Sequence, residues 1–161
     1  MKSIMKFIKD NIKPTAVAVA VFIVVLVFAM RDAEAGGTIS LGTTVMNSSE
    51  TFGEIGYRHN VYEANFMLIG EGHTEKGIQD HVNVYSVSRI VSPGWPLLFG
   101  KNYYRIGLAY VDDSPLVGNS NYRLGIGIDY GVFSIEYVHF SSAGIHKTNR
   151  GIDGIMLKLD I

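Results

Sequence analysis

The chain has 161 residues, of which 47% are apolar and 18% charged, with a formal net charge of −1 and no cysteine. This composition is too apolar for a disordered protein, and the length suits one ordinary domain. The lack of cysteine excludes disulfides and thiolate zinc sites, and the near-neutral charge argues against a general nucleic-acid binder.

The first 35 residues differ from the rest of the chain. Four lysines precede an unbroken apolar run from Ala16 to Met30, and the run is followed by Ala33-Glu34-Ala35. A basic segment, an apolar segment and an A-x-A site in this order are typical of a secretory signal peptide. Residues 1–35 therefore predict a signal peptide cut after Ala35. The alternative is an uncleaved signal anchor, although the run is shorter than the about 20 residues of a membrane span.

Residues 36–161 show a strong alternation of apolar and polar or small residues. Tyr104, Ile106, Leu108 and Tyr110 share one face of a strand, and Tyr122–Tyr130 repeats this pattern with glycines on its other face. An apolar stripe with a tyrosine at each end is typical of a strand that crosses a bilayer. A soluble barrel would turn the apolar face inward instead. The tyrosines, the glycines and the signal peptide favour the membrane barrel.

Eight segments of this kind predict an all-β fold, an eight-stranded antiparallel up-and-down transmembrane β-barrel formed by residues 36–161. An even number of strands puts both termini on the periplasmic side, so that connections one, three, five and seven face outward. The connection Ser92–Lys101 is long and apolar for a periplasmic turn, and its Trp95 and Phe99 suggest a place in the inner interface. The predicted strands are 38–46, 52–59, 61–71, 80–92, 102–112, 121–130, 132–143 and 151–161.

The same alternation predicts a charged interior that balances four acidic against four basic side chains. Such a set can pair internally, whereas a soluble fold would leave it in water. The predicted inward residues are Glu54, Glu63, Asp129 and Glu136 with Arg58, Arg89, Arg105 and Arg123.

Three polar residues fall on the lipid-facing side of the last hairpin: His139, Ser141 and Asp153. If positions that sum to about 292–294 face each other, His139 lies opposite Asp153 or within two residues of it. Ser141 lies two residues further along the same face, about 7 Å away. A hydroxyl, an imidazole and a carboxylate can act as nucleophile, general base and orienting group. Alternatively, these residues only mark the edge of the membrane, where polar groups cost about 0–1 kcal/mol.

The segment His139–Gly144 (HFSSAG), followed by Asn149–Asp153 (NRGID), resembles the lipid A 3-O-deacylase (PagL-type) family of eight-stranded outer-membrane barrels. The family pattern is His-x-Ser-Asn-Ala-Gly, then Asn-x-Gly-x-Glu at the same spacing. The resemblance implies hydrolysis of the ester at the 3-position of lipid A with release of a 3-hydroxy fatty acid. It implies Ser141 as the nucleophile, His139 as the base and Asp153 as the acidic member, without metal or cofactor.

Four further residues match or border this pattern and are expected to support the site or its oxyanion: Ser142, Gly144, Asn149 and Gly151. Two departures matter. Asp153 stands where the family has Glu, which shortens the reach of the carboxylate. Ser142 stands where the family has Asn, and the loss of one oxyanion donor can reduce the rate by about 10²–10³. The sequence therefore also allows a relative of this family whose catalytic activity is reduced or lost.

The resulting hypothesis is an outer-membrane ester hydrolase whose active site lies near the outer leaflet. Its partners would be lipid A or lipopolysaccharide and membrane lipids, with no nucleic acid and with the oligomeric state, homodimer included, left open. The first alternative is a non-catalytic small barrel with a role in adhesion, surface protection or membrane structure. The second is a soluble secreted barrel that binds an apolar ligand.

Overall fold

The computed structural model describes residues 35–145, 147 and 149–161, so the predicted signal peptide, or anchor, lies outside the described residues except for Ala35. The described chain consists of strands and connections. The strand bounds are β1 Ala35–Val45, β2 Thr51–His59, β3 Tyr62–Ile69, β4 Gly72–Thr74, β5 Gly77–Gln79, β6 Val82–Val91, β7 Pro96–Leu97, β8 Gly100–Val111, β9 Ser120–Asp129, β10 Phe133–Ser141 and β11 Ile152–Asp160.

The eight long strands form one closed antiparallel barrel. Each pairs with its neighbour in the chain, β6 pairs with β8, and β1 closes the ring by pairing with β11 from Thr38↔Asp160 to Val45↔Asp153. Closure removes the sheet edges whose unpaired backbone groups could not lie in lipid. The predicted eight-stranded up-and-down barrel is therefore confirmed. Among the described residues, no helix is long and apolar enough to cross a membrane.

The connections divide the barrel into two ends. Residues 46–50, 70–81, 112–119 and 142–151 lie at one end, called here the loop end. Residues 60–61, 92–99 and 130–132 lie with Ala35 and Ile161 at the other, the turn end. The apolar 92–99 connection contains β7, which pairs with the start of β8 through Pro96↔Lys101 and Leu97↔Gly100. This connection is therefore a small hairpin that extends β8, and the side chain of Phe99 is fully exposed on it.

The distribution of side chains is inverted relative to a soluble protein. The outer wall exposes large apolar residues on every long strand, such as Leu41 at 70% and Leu108 at 66%, whereas the interior buries glutamates, arginines and a lysine. Alternate residues of each strand point to opposite faces, so one sequence pattern produces both surfaces. This is the surface of a transmembrane barrel.

The interior charges form a paired network near the middle and the turn end of the barrel. Glu63 accepts hydrogen bonds from Arg58 at 2.9 Å and from Arg105 at 3.0 Å, and it also pairs with Lys158. Arg123 donates to Glu54 at 2.6 Å, and Arg105 donates to Glu136 at 2.8 Å. Each charge of this network therefore meets an opposite charge, without which burial would cost several kcal/mol per ion.

The sequence prediction of the interior was wrong at two positions. Arg89 points outward and is exposed, because the buried residues of β6 are the even-numbered ones from Val82 to Ser88. Asp129 is exposed at the turn end, where its carboxylate accepts from the backbone N–H of Gly131. Lys158 of β11 supplies the interior cation that the prediction left out.

An apolar cluster fills the interior at the loop end. Leu116 and Val117, from the 112–119 connection, are buried with Phe140, Ile152 and other strand residues of the cluster. The connection thus folds over the mouth of the barrel. Its backbone pairs with the 142–151 connection through a bridge between Val117 and Asn149, which positions the segment that follows β10.

Candidate functional site

The last hairpin brings the predicted trio together on the outer wall. His139 lies directly opposite Asp153 in the register between β10 and β11, and the positions of the pair sum to 292. Ser141 is the last residue of β10 and lies on the same face as His139. The predicted register is therefore confirmed, and all three residues lie close to the loop end.

An imidazole and a carboxylate form the best-defined contact of the site. Nδ1 of His139 lies 2.7 Å from Oδ1 of Asp153. An ionised carboxylate only accepts, so the proton of a neutral imidazole lies on Nδ1 and the other ring nitrogen is left as an acceptor. The side chain of Asp153 is 6% exposed although it lies on the outer face, whereas that of His139 is 31% exposed. The base is therefore accessible and its acidic partner is shielded.

The phenol of Tyr137 also donates a hydrogen bond to Oδ1 of Asp153. Tyr137 lies two residues before His139 on the same face of β10 and opposite Ile155 of β11. Two donors from one strand thus converge on one carboxylate oxygen. Tyr137 was not among the predicted site residues, although its position two residues before His139 on the same face was a signal that could have included it.

Ser141 is held by the loop rather than by the imidazole. Its Oγ donates to Oδ1 of Asn149 at 3.1 Å and accepts from the backbone N–H of Ala143 at 3.2 Å. In the part of the chain that the structure describes, no hydrogen bond joins Ser141 to His139. The same Asn149 oxygen accepts from the backbone N–H of Ser142 at 2.8 Å. The Asn149 amide therefore fixes both the hydroxyl and the start of the connection.

Asn149 is itself positioned by two other connections. The backbone N–H of Arg150 donates to the carbonyl of Leu116 at 2.9 Å, and the side-chain amide of Asn47 donates to the carbonyl of Arg150 at 2.9 Å. These contacts join segments more than thirty and more than a hundred residues apart. Sequence spacing carries no signal for them, and Asn47 did not enter the prediction.

Two glycines of the predicted site have different surroundings. Gly151 has a φ of 82°, and a Cβ there would lie 2.8 Å from Cε1 of His139. Glycine is therefore required at 151 both by its left-handed backbone and by the imidazole that packs against it. Gly144 has a φ of 84° and would meet nothing within 4 Å. Gly144 lies in an exposed turn, and a side chain at this position would point into open space.

Ser142 does not present its side chain to the outer wall. The residue is fully buried, its Oγ has no hydrogen-bond partner among the described residues, and its backbone N–H donates to Oδ1 of Asn149. The hydroxyl therefore lies out of reach of a substrate on the barrel surface. The backbone N–H of Ala143, which donates to Ser141 Oγ at 3.2 Å, is instead exposed.

The described residues contain no cluster of three or more His, Cys, Asp or Glu side chains arranged to hold a metal ion. The contacts described above bring together a nucleophile-type hydroxyl, an imidazole–carboxylate pair and a loop amide. These groups have the composition of an acyl-transfer site.

The fold is that of a small transmembrane barrel with a polar cluster on the outer wall. It is similar to a solved structure described as the outer membrane enzyme PagL, with a TM-score of 0.56 and 18% sequence identity over 78% of this chain and 98% of that chain. No family model matches the sequence, and no curated protein matches it. At this identity the likeness establishes the shared eight-stranded fold.

Proposed function

We propose that this protein is an outer-membrane carboxylic ester hydrolase that removes the acyl chain at the 3-position of lipid A and releases a 3-hydroxy fatty acid. The observation that carries the proposal is the His139–Asp153 pair at 2.7 Å on the outer wall, with Ser141 two residues along the same strand. The HFSSAG and NRGID segments, which resemble the deacylase pattern, contain all three residues.

The chemistry follows from the roles that these groups can take. Ser141 Oγ attacks the ester carbonyl while Nε2 of His139 takes the hydroxyl proton. The bond between the acyl carbon and the sugar oxygen then breaks, and His139 returns the proton to that leaving oxygen. Water next attacks the acyl-serine ester, with His139 again as base, and the fatty acid leaves as Ser141 regains its proton. Asp153 holds the imidazole and stabilises its charged form throughout.

Attack requires Ser141 to exchange its hydrogen bond to Asn149 for one to His139. A change of the χ1 rotamer moves Oγ between staggered positions without moving the strand. Catalytic hydrogen bonds commonly become aligned only when substrate is bound. The same rotation frees the N–H of Ala143, which would then be the backbone donor for the tetrahedral oxyanion.

The position of the site suits an ester in a membrane. Leu124 of β9 and Ile155 of β11, both exposed, flank His139 and Tyr137 on the outer wall, and the loop end begins at Ser141. An acyl chain lying against this wall would bring its ester to the boundary between apolar and polar surface. With the loop end outward, that boundary lies in the outer leaflet.

The decisive experiment is mass spectrometry of lipid A from cells that express the wild type or Ser141→Ala. We expect the wild type alone to remove one 3-hydroxyacyl chain. Ser120→Ala, which removes an exposed hydroxyl at the same end of the barrel, is the matched control and should behave as wild type. Unchanged lipid A with a correctly folded wild-type barrel, judged by heat-modifiable gel mobility, would contradict the proposal.

A barrel without catalytic activity is the second candidate. Two observations favour it: the hydroxyl of Ser141 is directed at Asn149, and the hydroxyl of Ser142 is buried. Under this alternative, the polar residues of the last hairpin stabilise the connection between β10 and β11. The Ser141→Ala variant would then lose stability, and lipid A would be the same with both proteins.

A further inference from the structure

A cavity of about 240 Å³ opens at the loop end beside the candidate site. It is lined by Lys76, Pro115, Lys147, Asn149 and Arg150, which come from three different connections. Pockets that take drug-sized molecules measure roughly 300–1,000 Å³ and are mostly apolar. This cavity is smaller and its lining is cationic, so it suits a small anionic group rather than an acyl chain.

The positive charge of the loop end is concentrated at this one place. The four connections at this end contain three lysine or arginine residues in total, and all three line the cavity. The six acidic residues of the same connections are not part of this lining as the structure describes it: Glu50, Glu71, Glu75, Asp80, Asp112 and Asp113. Separate connections have therefore brought their cations together and left their carboxylates outside.

Among the described residues, these cations, Lys76, Lys147 and Arg150, have no ion-pair partner. Like charges that converge repel one another unless an anion binds between them. The interior of the same barrel shows the contrast, because there each buried arginine meets a glutamate.

The cavity is connected directly to the candidate nucleophile. Asn149 lines it, and Oδ1 of the same residue accepts the hydrogen bond from Ser141 Oγ at 3.1 Å. A group bound in the cavity would thus lie one side chain away from the hydroxyl. This proximity allows a single molecule to occupy the cavity and to place an ester at Ser141.

We propose that this cavity binds a phosphate group on the headgroup of the lipid whose ester is held at Ser141. Arginine and lysine are the side chains that bind phosphate oxygens through charge-assisted hydrogen bonds. The ester part of this statement rests on the proposed function, whereas the phosphate part rests on the cavity alone. The site thereby selects phosphorylated lipids over neutral esters of equal chain length.

The test measures binding rather than hydrolysis. The full chain carrying Ser141→Ala is refolded in detergent micelles and titrated with lipid A and with the same lipid A after enzymatic removal of its phosphates. We expect dephosphorylation to weaken binding at least about tenfold in this parent. In the triple variant with Lys76→Gln, Lys147→Gln and Arg150→Gln, the two lipids should bind within about twofold of each other.

Lys101→Gln is the matched control, because Lys101 is an exposed lysine at the turn end. It should keep the preference of the parent, and gel mobility should show that each variant is folded. Equal binding of both lipids by the parent, or an unchanged preference in the triple variant, would overturn the proposal. Inorganic phosphate is the third probe: binding of this ion without any preference for the phosphorylated lipid would also overturn it.

The two proposals can fail separately. If wild-type protein leaves lipid A intact but the preference for phosphorylated lipid persists and depends on the three cations, the ester hydrolase is wrong and the phosphate site stands. If lipid A is deacylated equally well with and without its phosphates, the enzyme stands and the phosphate site is wrong.

Discussion

The hydroxyl of Ser141 donates to the side-chain oxygen of Asn149 at 3.1 Å across the connection between β10 and β11. The same oxygen accepts the backbone N–H of Ser142. One amide therefore sets both the rotamer of the candidate nucleophile and the path of the chain that follows it. Asn149 is in turn held by the 46–50 and 112–119 connections, so the loop end positions the site as a unit.

Replacement of Asn149 by alanine removes both of these hydrogen bonds. With about 1 kcal/mol for each bond, we expect kcat/KM for deacylation to fall about 10- to 100-fold. Asn149→Asp keeps an acceptor at the same place and should retain more activity than the alanine variant. Asn119→Ala, which removes an amide that donates to the carbonyl of Val111 at 3.0 Å on a neighbouring connection, is the control. Full activity of Asn149→Ala would show that the loop amide does not organise the nucleophile.

Tyr137 offers a test of the carboxylate's environment. Its phenol and His139 Nδ1 share Oδ1 of Asp153, so Tyr137→Phe leaves the carboxylate with one donor fewer. A hydrogen bond to a charged group contributes about 1.5–3 kcal/mol, and we expect kcat to fall about tenfold or more. KM should change little, because the phenol orients Asp153 and is not assigned a contact with substrate.

The control for that variant is Tyr122→Phe, since Tyr122 is an exposed phenol that lies opposite Ser141 on β9. Steady-state kinetics on lipid A in mixed micelles separates kcat from KM. A rise in KM alone for Tyr137→Phe would mean that the phenol binds substrate. No change in either parameter would mean that His139 alone fixes the carboxylate.

The sequence predicts the barrel and the hairpin register because both depend on local rules. Side chains alternate with period two, and facing residues of an antiparallel hairpin have position numbers with a constant sum, so His139 and Asp153 can be paired by addition. The prediction that Arg89 points inward was wrong because β6 has polar residues on both faces. Its sequence pattern therefore does not indicate which face is buried. The Asn47 and Leu116 contacts that hold the segment after β10 join distant loops, for which no periodicity exists.

The backbone at Gly151 passes close to the imidazole ring of His139. A methyl group at this position would lie 2.8 Å from Cε1 of His139, and its φ of 82° is unfavourable for any residue with a Cβ. We expect Gly151→Ala to lose about 1–2 kcal/mol of stability from the backbone and also to displace the ring. Displacement of a catalytic group by about 1 Å can cost 10²-fold in rate.

Gly131→Ala separates these two effects. Its φ is 91°, but a Cβ there would meet nothing within 4 Å, and it lies at the turn end. The backbone cost should therefore be similar while activity is retained. Denaturant unfolding gives the stability and lipid A mass spectrometry gives the activity. If the two variants lose activity equally, the contact between Gly151 and His139 has no role in the site.

Glu63 is the acceptor on which most of the interior network depends. It forms ion pairs with Arg58 at 2.9 Å, with Arg105 at 3.0 Å and with Lys158. It also accepts a hydrogen bond from the side-chain amide of Asn65 at 2.7 Å. Glu63→Gln removes the negative charge and leaves buried cations with less compensation. Removal of one partner of a buried ion pair costs about 3–5 kcal/mol, so we expect a loss of that size in the free energy of unfolding.

The matched control uses an exposed partner of the same network. Asp160 pairs with Arg58 at 3.1 Å, but its side chain is 48% exposed, so Asp160→Asn should cost only about 0–1 kcal/mol. Urea unfolding of the refolded barrel in lipid vesicles, followed by gel mobility and tryptophan fluorescence of Trp95, measures both. Equal losses for the two variants would mean that the interior charges contribute no more than charges at the rim, and that the apolar cluster at the loop end carries the stability of the barrel.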